Sequence, residues 1–460
     1  MKKIMDKVYD PKILYIYILL FPIFEIITSV MVRNNMRFTF GMVYKSIFIV
    51  YAVIYILFFS ASKRKIKCIY IALLFITIFM SILTVSDFDI YNINSKLFKS
   101  AIKFVNLPIM LIFFYTYFKN VEEFNTNIFE YTIVVYCISI IVAIITGTSQ
   151  PTYLLAEDTV KLGFKGWFFA GNEIGNLLGI MYPFAIYLAS TKGKALYYVM
   201  LAIVTFCTVE VGTKTATLSL AITIVICLIF SVVMSFVKKD ETIVRARRIT
   251  IVLFVLLAIY APFSTSYKIF KIRMDDAQKV GVKELIMQDV ADQEEAINED
   301  VQNGLEDAEK TDTETNVIEN VIYSGRQEFK KYQRERFEES KLINKLFGLK
   351  NNGINNIEGV GSFEIVERDF HDVLYMYGIV GCITFFAPVI YILSIISINI
   401  IKKINKLDLK IVTSGISIAL AFSIAYIAGH VLLTPPIVMF LTANLARMAA
   451  YVQKLGVKVS

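Results

Sequence analysis

Three short polar stretches in an otherwise apolar chain carry residue types that can do chemistry. The first is Glu367-Arg-Asp-Phe-His-Asp372, just before a long apolar run. Glu367 and His371 are four apart and share a face if a helix begins that early. A carboxylate beside an imidazole can then take a proton from a hydroxyl. Asp369 belongs to the same acid–base cluster, although on such a helix it points elsewhere, as does Asp372. The bland alternative is a polar helix entrance, where carboxylates are favoured by the helix dipole. The second stretch is Tyr323-Ser-Gly-Arg-Gln327. Ser324 and Gln327 form a capping box, and the helix it starts runs to about Ile343. Arg326 falls in the first turn, against the dipole. That position suits a guanidinium and free amides converging on an anion, or else a solvated arginine beside an ordinary cap. The third is Gly212-Thr-Lys-Thr215. Lys214 sits between two apolar runs with almost no loop, so its ammonium lies at membrane level, where an ionisable group is a functional candidate by default.

These residues need a frame, and the frame is apolar. The chain has 460 residues, 56% of them hydrophobic, and a mean hydropathy of +0.61. About twenty apolar residues cross a bilayer, and in lipid such runs must be helices. The fold class is therefore all-α, a polytopic membrane bundle. About twelve spans are expected at 13–32, 41–60, 68–85, 98–118, 128–146, 171–190, 196–211, 214–237, 249–266, 372–400, 411–429 and 436–452. They divide the chain into spans one to nine over 1–266, a polar loop over 267–371, and spans ten to twelve over 372–460. The segment Gly147 to Gly171, with Pro151 and Trp167, is too polar to span and reads as a partly re-entrant or interfacial loop.

Lysines and arginines decide the orientation. One face collects Lys2, Lys3, Lys7 and Lys12, then Lys63, Arg64, Lys65 and Lys67, then Lys119, Lys238, Lys239, Arg245, Arg247, Arg248, Lys402 and Lys403. That face is read as cytoplasmic, with both termini on it and the polar loop outside. Arg33, Arg37, Lys161, Lys165 and Lys214 break the trend by lying toward the outer face. Lys161 reads as a solvated loop charge. The net charge of +8 is an average of unlike parts: Asp275 to Glu319 holds fifteen acids and three lysines, net −12, and the remainder is about +20. This acidic insert, about 275–319, carries no assigned chemistry, in contrast to the basic half at 323–371.

The five cysteines, Cys68, Cys137, Cys207, Cys227 and Cys382, lie in or beside apolar segments without a CxxC pair or a Cys/His cluster. Disulfides and a zinc site are not expected. No Walker loop, dinucleotide fingerprint, HExxH motif or nucleophile elbow occurs, which argues against an ATP-driven pump or a serine hydrolase.

Taken together, the residues resemble the O-antigen ligase and O-antigen polymerase family of bacterial membrane glycosyltransferases. The likeness covers the topology over most of the chain. Its local matches are Asn172 in Gly171-Asn-Glu-Ile-Gly175, Gly212-Thr-Lys-Thr215, Ser324-Gly-Arg326 and the helix with Gly378 and Gly381. The resemblance implies a polyprenyl-pyrophosphate-linked oligosaccharide as donor, held by cations: Arg326 and Lys214, with Arg33 or Arg37. It implies no metal and no other cofactor, no nucleotide sugar and no nucleic acid. The expected setting is the cytoplasmic membrane, with a flippase and a chain-length regulator as partner proteins. The expected product is a capsule, exopolysaccharide, O-antigen-like or wall polysaccharide. Family ligases carry His-Asn where this chain has Glu367-Arg368, with a histidine one turn later at His371. That departure favours a polymerase over a ligase and leaves Glu367 and His371 both open as the base. A transporter or flippase for the same lipids is the alternative; it would more often show an internal repeat and charges deep within spans. A membrane scaffold or sensor whose acidic loop binds a partner is the third reading.

Overall fold

The computed structural model describes residues 9–36, 39–59, 64–83, 95–121, 124–125, 127–155, 160–237, 240–269, 271–272, 326–349, 355–357, 361–363 and 368–455. Each expected span falls on a helix. These are α1 (Pro11–Arg33), α2 (Phe40–Phe59), α3 (Arg64–Leu83), α4 (Ser95–Asn120), α5 (Ile128–Ile145), α6 (Gly171–Lys192), α7 (Ala195–Glu210), α8 (Lys214–Val237) and α9 (Glu241–Tyr260), then α12 (Asp369–Lys402), α13 (Leu409–Ile427) and α14 (Pro435–Lys454). Among the described residues nine helices are long and apolar enough to cross a membrane by themselves. The chain is a polytopic membrane helical bundle.

Burial sorts the helices. The apolar windows of α6 and α4 are mostly buried, whereas those of α1, α8 and α9 are mostly not, and they carry large aliphatic side chains outward. Such a distribution suits a bundle in hydrocarbon, where outward apolar residues meet lipid. Helix α14 runs through the core with nearly every residue buried. At its second half Arg447 pairs with Glu130 of α5 at 2.8 Å, both groups almost fully buried, and lies 4.6 Å from the centre of the Phe184 ring. Lys403 donates to the Val452 carbonyl at 2.8 Å and Lys406 to the Leu455 carbonyl at 3.0 Å, so cations cap the last turn of α14.

Three differences from expectation bear on the site. The segment after α5, expected as an irregular loop, is an antiparallel hairpin of β1 (Gln150–Leu155) and β2 (Val160–Gly166). Its backbone polar groups pair across the strands, which removes the need to reach water from membrane level. The helix opened by Arg326 is shorter than expected: α10 (Arg326–Glu339) stops before Ser340, and α11 (Leu342–Phe347) follows at an angle. Helix α12 begins at Asp369, behind an extended Arg368 with φ −132° and ψ 103°. Glu367, the other member of the expected pair with His371, falls outside the described residues. A second small hairpin joins β3 (Asn355–Ile357) to β4 (Gly361–Phe363). The acidic insert, the Ser324 cap, Arg37 and Glu367 lie outside the described residues.

Candidate functional site

The ends of α1, α5, α7, α9 and α13, and the starts of α6, α8, α12 and α14, all meet on one face of the bundle, which also bears the hairpin and α10–α11. Every described candidate from the sequence lies there.

Asp369 organises one part of that face. Its carboxylate is buried and accepts three backbone N–H groups: His430 on Oδ1 at 3.0 Å, and Val431 and Leu432 on Oδ2 at 2.8 and 2.6 Å. Gly429 and His430 both adopt left-handed backbone, φ 65° and 58°, which turns successive amides toward one point and makes an anion-binding concavity. With both oxygens engaged, Asp369 acts as a clamp between α12 and the turn after α13. Asp369→Asn should lower the unfolding free energy by about 2–4 kcal/mol, since it leaves buried amides without a carboxylate acceptor. Thermal unfolding in detergent checks this; wild-type stability with lost turnover would instead mark Asp369 as a proton-transfer group.

The clamp continues to Lys214. The Gly429 carbonyl accepts from Asn176 Nδ2 at 3.3 Å, and Asn176 Oδ1 accepts from Thr215 Oγ1 at 2.6 Å. Thr215 follows Lys214, the first residue of α8. The turn itself is fixed from the other side, where Ser266 Oγ donates to the Thr213 carbonyl at 3.3 Å and meets Thr217 Oγ1 at 2.7 Å. Gly212, at φ 76°, has no room for a side chain: a Cβ would lie 2.6 Å from Thr265 and 3.5 Å from the Gly163 backbone of β2. Hairpin and Lys214 turn thus pack backbone to backbone.

His371 lies in the first turn of α12, half-buried, with Tyr375 and Tyr426 ring centres 6.1 and 6.3 Å away. Its Nδ1 is buried and has no hydrogen-bond partner among the described residues. Lys330 of α10 and Arg368 bring positive charge within electrostatic reach of the ring. Arg368 is itself buried, donating Nε to the Tyr426 carbonyl at 2.9 Å with its guanidinium 5.3 Å from the Tyr426 ring.

What brings α10 there is a break in α12. Gly378 sits at φ 68° and ψ −170°, so the helix is interrupted one residue after Tyr377. A side chain at 378 would lie 2.4 Å from the Leu346 backbone, which shows how closely α11 enters the break. Leu349 N–H then donates to the Tyr375 carbonyl at 2.8 Å, a group the interrupted helix leaves free. Helix α10 runs alongside the first turns of α12 in the same direction: Lys330 lies within electrostatic reach of His371, and seven residues on Phe337 meets Tyr375 at 5.5 Å. Arg326 opens α10 one turn before Lys330, and Arg334 follows one turn after, so the three cationic positions fall on one stripe. Arg334 pairs with Glu338 at 2.7 Å on the exposed side, a pair of little energetic weight.

Arg33 ends α1 in another neighbourhood. Its Nη2 donates to the Phe168 carbonyl at 2.9 Å, closing on a turn in which Phe168 N–H donates to the Lys165 carbonyl at 3.3 Å. Lys165 is half-buried, and burial, then the nearby Arg33 charge, pushes its ammonium down to about 8. Asn172 and Glu173 lie in the first turn of α6. Of the sequence candidates, the structure joins Asp369, His371 and, through Asn176, Lys214; it puts Arg33 with Lys165. Sequence reasoning missed Arg368, Lys330 and Asn176 as site residues, and noted Lys165 only as a cation toward the outer face. Lys330 was signalled by its spacing of four from Arg326, and Asn176 by being an amide inside an apolar run. Arg368 carried no local signal.

A family model described as O-antigen ligase like membrane protein matches residues 7–455, nearly the whole chain. Searches of curated proteins and of solved structures return no match.

Proposed function

The chain belongs to the O-antigen ligase-like membrane proteins, and on that premise we propose that it polymerises polyprenyl-pyrophosphate-linked oligosaccharide units on the outer face of the cytoplasmic membrane. Family membership already makes it a membrane enzyme of the polysaccharide-transferring kind. The polymerase reading, the lipid donor and the residues' roles are our inference. The observation that carries it is the entry of α11 into the Gly378 break, which brings Lys330 of basic α10 within electrostatic reach of His371.

The chemistry balances without a further reagent. The acceptor hydroxyl gives its proton to His371, with Glu367 as the alternative base, and its oxygen bonds to the anomeric carbon of the donor. The bond from that carbon to the phosphate oxygen breaks, and its electron pair leaves on the polyprenyl pyrophosphate. Arg326 and Lys214 stabilise that charge, and electrostatic stabilisation of a leaving dianion contributes more than any other effect to the rate of such a transfer. Asp369 positions the base and the Lys214 turn relative to each other. A flippase supplying the donor and a chain-length regulator are the partner proteins this role calls for, and the product is a capsule, exopolysaccharide, O-antigen-like or wall polysaccharide.

Supplying the purified protein with a single kind of lipid-linked repeat unit tests the polymerase reading. A ladder of products is expected. One addition only, and only when a separate lipid-free acceptor is present, would show a ligase.

A further inference from the structure

Helix α11 is apolar on a side that no described residue covers. Leu342 is 73% exposed and Ile343 41%. Lys341 precedes the helix and Lys345 falls in its last turn. Neither lysine has a carboxylate partner among the described residues. Scattered surface leucines need no explanation, but here the exposure continues onto the two helices against which α11 packs, α12 and α3. Ile379 and Ile383 of α12 are exposed, as are Ile76 and Phe79 of α3.

Helix geometry gives the height of this patch. Helix α11 enters α12 at Gly378, and one turn deeper a side chain at Gly381 would lie 3.7 Å from Thr77 of α3. Phe79 therefore stands just outward of that level. At about 1.5 Å per residue, Gly378 is about 36 Å from Lys402 and Phe79 about 22 Å from Arg64, both cations of the face read as cytoplasmic. A hydrocarbon core is about 30 Å thick, so the two rises bracket its far boundary. Helix α10 descends to that boundary alongside α12, from the level of His371 to that of Tyr375, and α11 turns off there. Apolar side chains at such a boundary, with ammonium groups on long stems beside them, are the pattern of a helix that lies in the membrane interface.

We propose that α11 is a membrane anchor for the polar loop. Leu342 and Ile343 sit among the upper acyl chains of the outer leaflet, and Lys341 and Lys345 reach the headgroup phosphates. The occupant of the patch is the lipid surface: the patch is continuous with the lipid-facing sides of α3 and α12, and its lysines match anionic headgroups. The anchor fixes the height of α10, and so of Lys330, above the bilayer. It does not depend on the polymerase reading, and its test reads insertion rather than turnover.

Single-tryptophan variants of the full-length protein in phosphatidylcholine nanodiscs provide that test. Each carries Trp167→Phe, which removes the sole native tryptophan, together with Leu342→Trp, Ile343→Trp or Glu335→Trp. Glu335 is exposed and stands higher, on α10. With lipid brominated near the top of the acyl chain, Leu342→Trp and Ile343→Trp should lose roughly half of their emission, and Glu335→Trp almost none. Acrylamide in the water should give the opposite order. In discs containing phosphatidylglycerol, Lys341→Glu with Lys345→Glu should reduce the bromine quenching of Leu342→Trp roughly twofold, and Lys341→Arg with Lys345→Arg should retain it. Acrylamide quenching without bromine quenching at both 342 and 343 would place α11 in water. Shielding from both quenchers would show a protein surface over the patch. Unaltered quenching in the glutamate variant would leave the lysines without phosphates. Each of these results would overturn the anchor.

Discussion

Arg326→Ala is expected to abolish chain growth while the protein stays in the membrane at its normal level. Arg326 is the first residue of α10, outside every apolar helix, so its loss does not affect insertion. Its positive charge at a helix start opposes the dipole and is unfavourable by a few tenths of a kcal/mol unless an anion is bound there. With a diphosphate in place the sign reverses: the free amides of the first turn and the guanidinium all donate to it. Removing one donor from the developing charge of a transition state lowers turnover roughly 10²–10³-fold, which in cells reads as loss of polymer. Arg326→Lys should recover only part of the rate, because a lysine lacks the two-pronged geometry that grips a phosphate. Lys214→Arg should keep most of it, since the tight turn needs a cation there of either kind. Polymer of normal length from Arg326→Ala would remove this residue, and with it the leaving-group site, from the reaction.

His371→Ala is expected to lower kcat roughly 10²–10⁴-fold with little change in KM, the range for losing a positioned general base. The preference for His371 over Glu367 is our proposal and rests on the surroundings of His371. The imidazole stands in the first turn of α12 between Tyr375 and Tyr426, with a buried ring nitrogen that no described residue engages. Glu367→Gln should accordingly cost less than tenfold. The reverse pattern, a silent His371→Ala and a dead Glu367→Gln, would transfer the role of base to the carboxylate.

Much of the frame was legible because hydrocarbon leaves few choices. An apolar run of twenty residues becomes a helix whatever its neighbours are, and the helices from Pro11–Arg33 to Pro435–Lys454 fall where hydropathy puts them. A helix following Ser324-Gly-Arg326 was legible from its local pattern, whereas its end, at Glu339 and not near Ile343, was not. What was hidden depends on partners far apart in sequence. Asp369 looks like an acid beside a histidine until the amides near residue 431, some sixty residues away, are seen to saturate it. Asn176 joins Gly429 across a separation of 253 residues, and Arg33 joins Phe168 across 135. Gly378 could be picked out by type. That α11 enters the backbone break there, and so delivers α10 to His371, is a tertiary fact with no local signature.

The most direct measurement uses the purified protein in nanodiscs with a defined polyprenyl-pyrophosphate oligosaccharide and no nucleotide. Glycosidic bonds formed and polyprenyl pyrophosphate released are counted together. The predicted result is one lipid pyrophosphate released for each bond formed, in the wild type and not in Arg326→Ala. Bond formation only when a nucleotide sugar is added, or movement of the intact lipid-linked glycan across the bilayer with no new bond, would contradict the assignment.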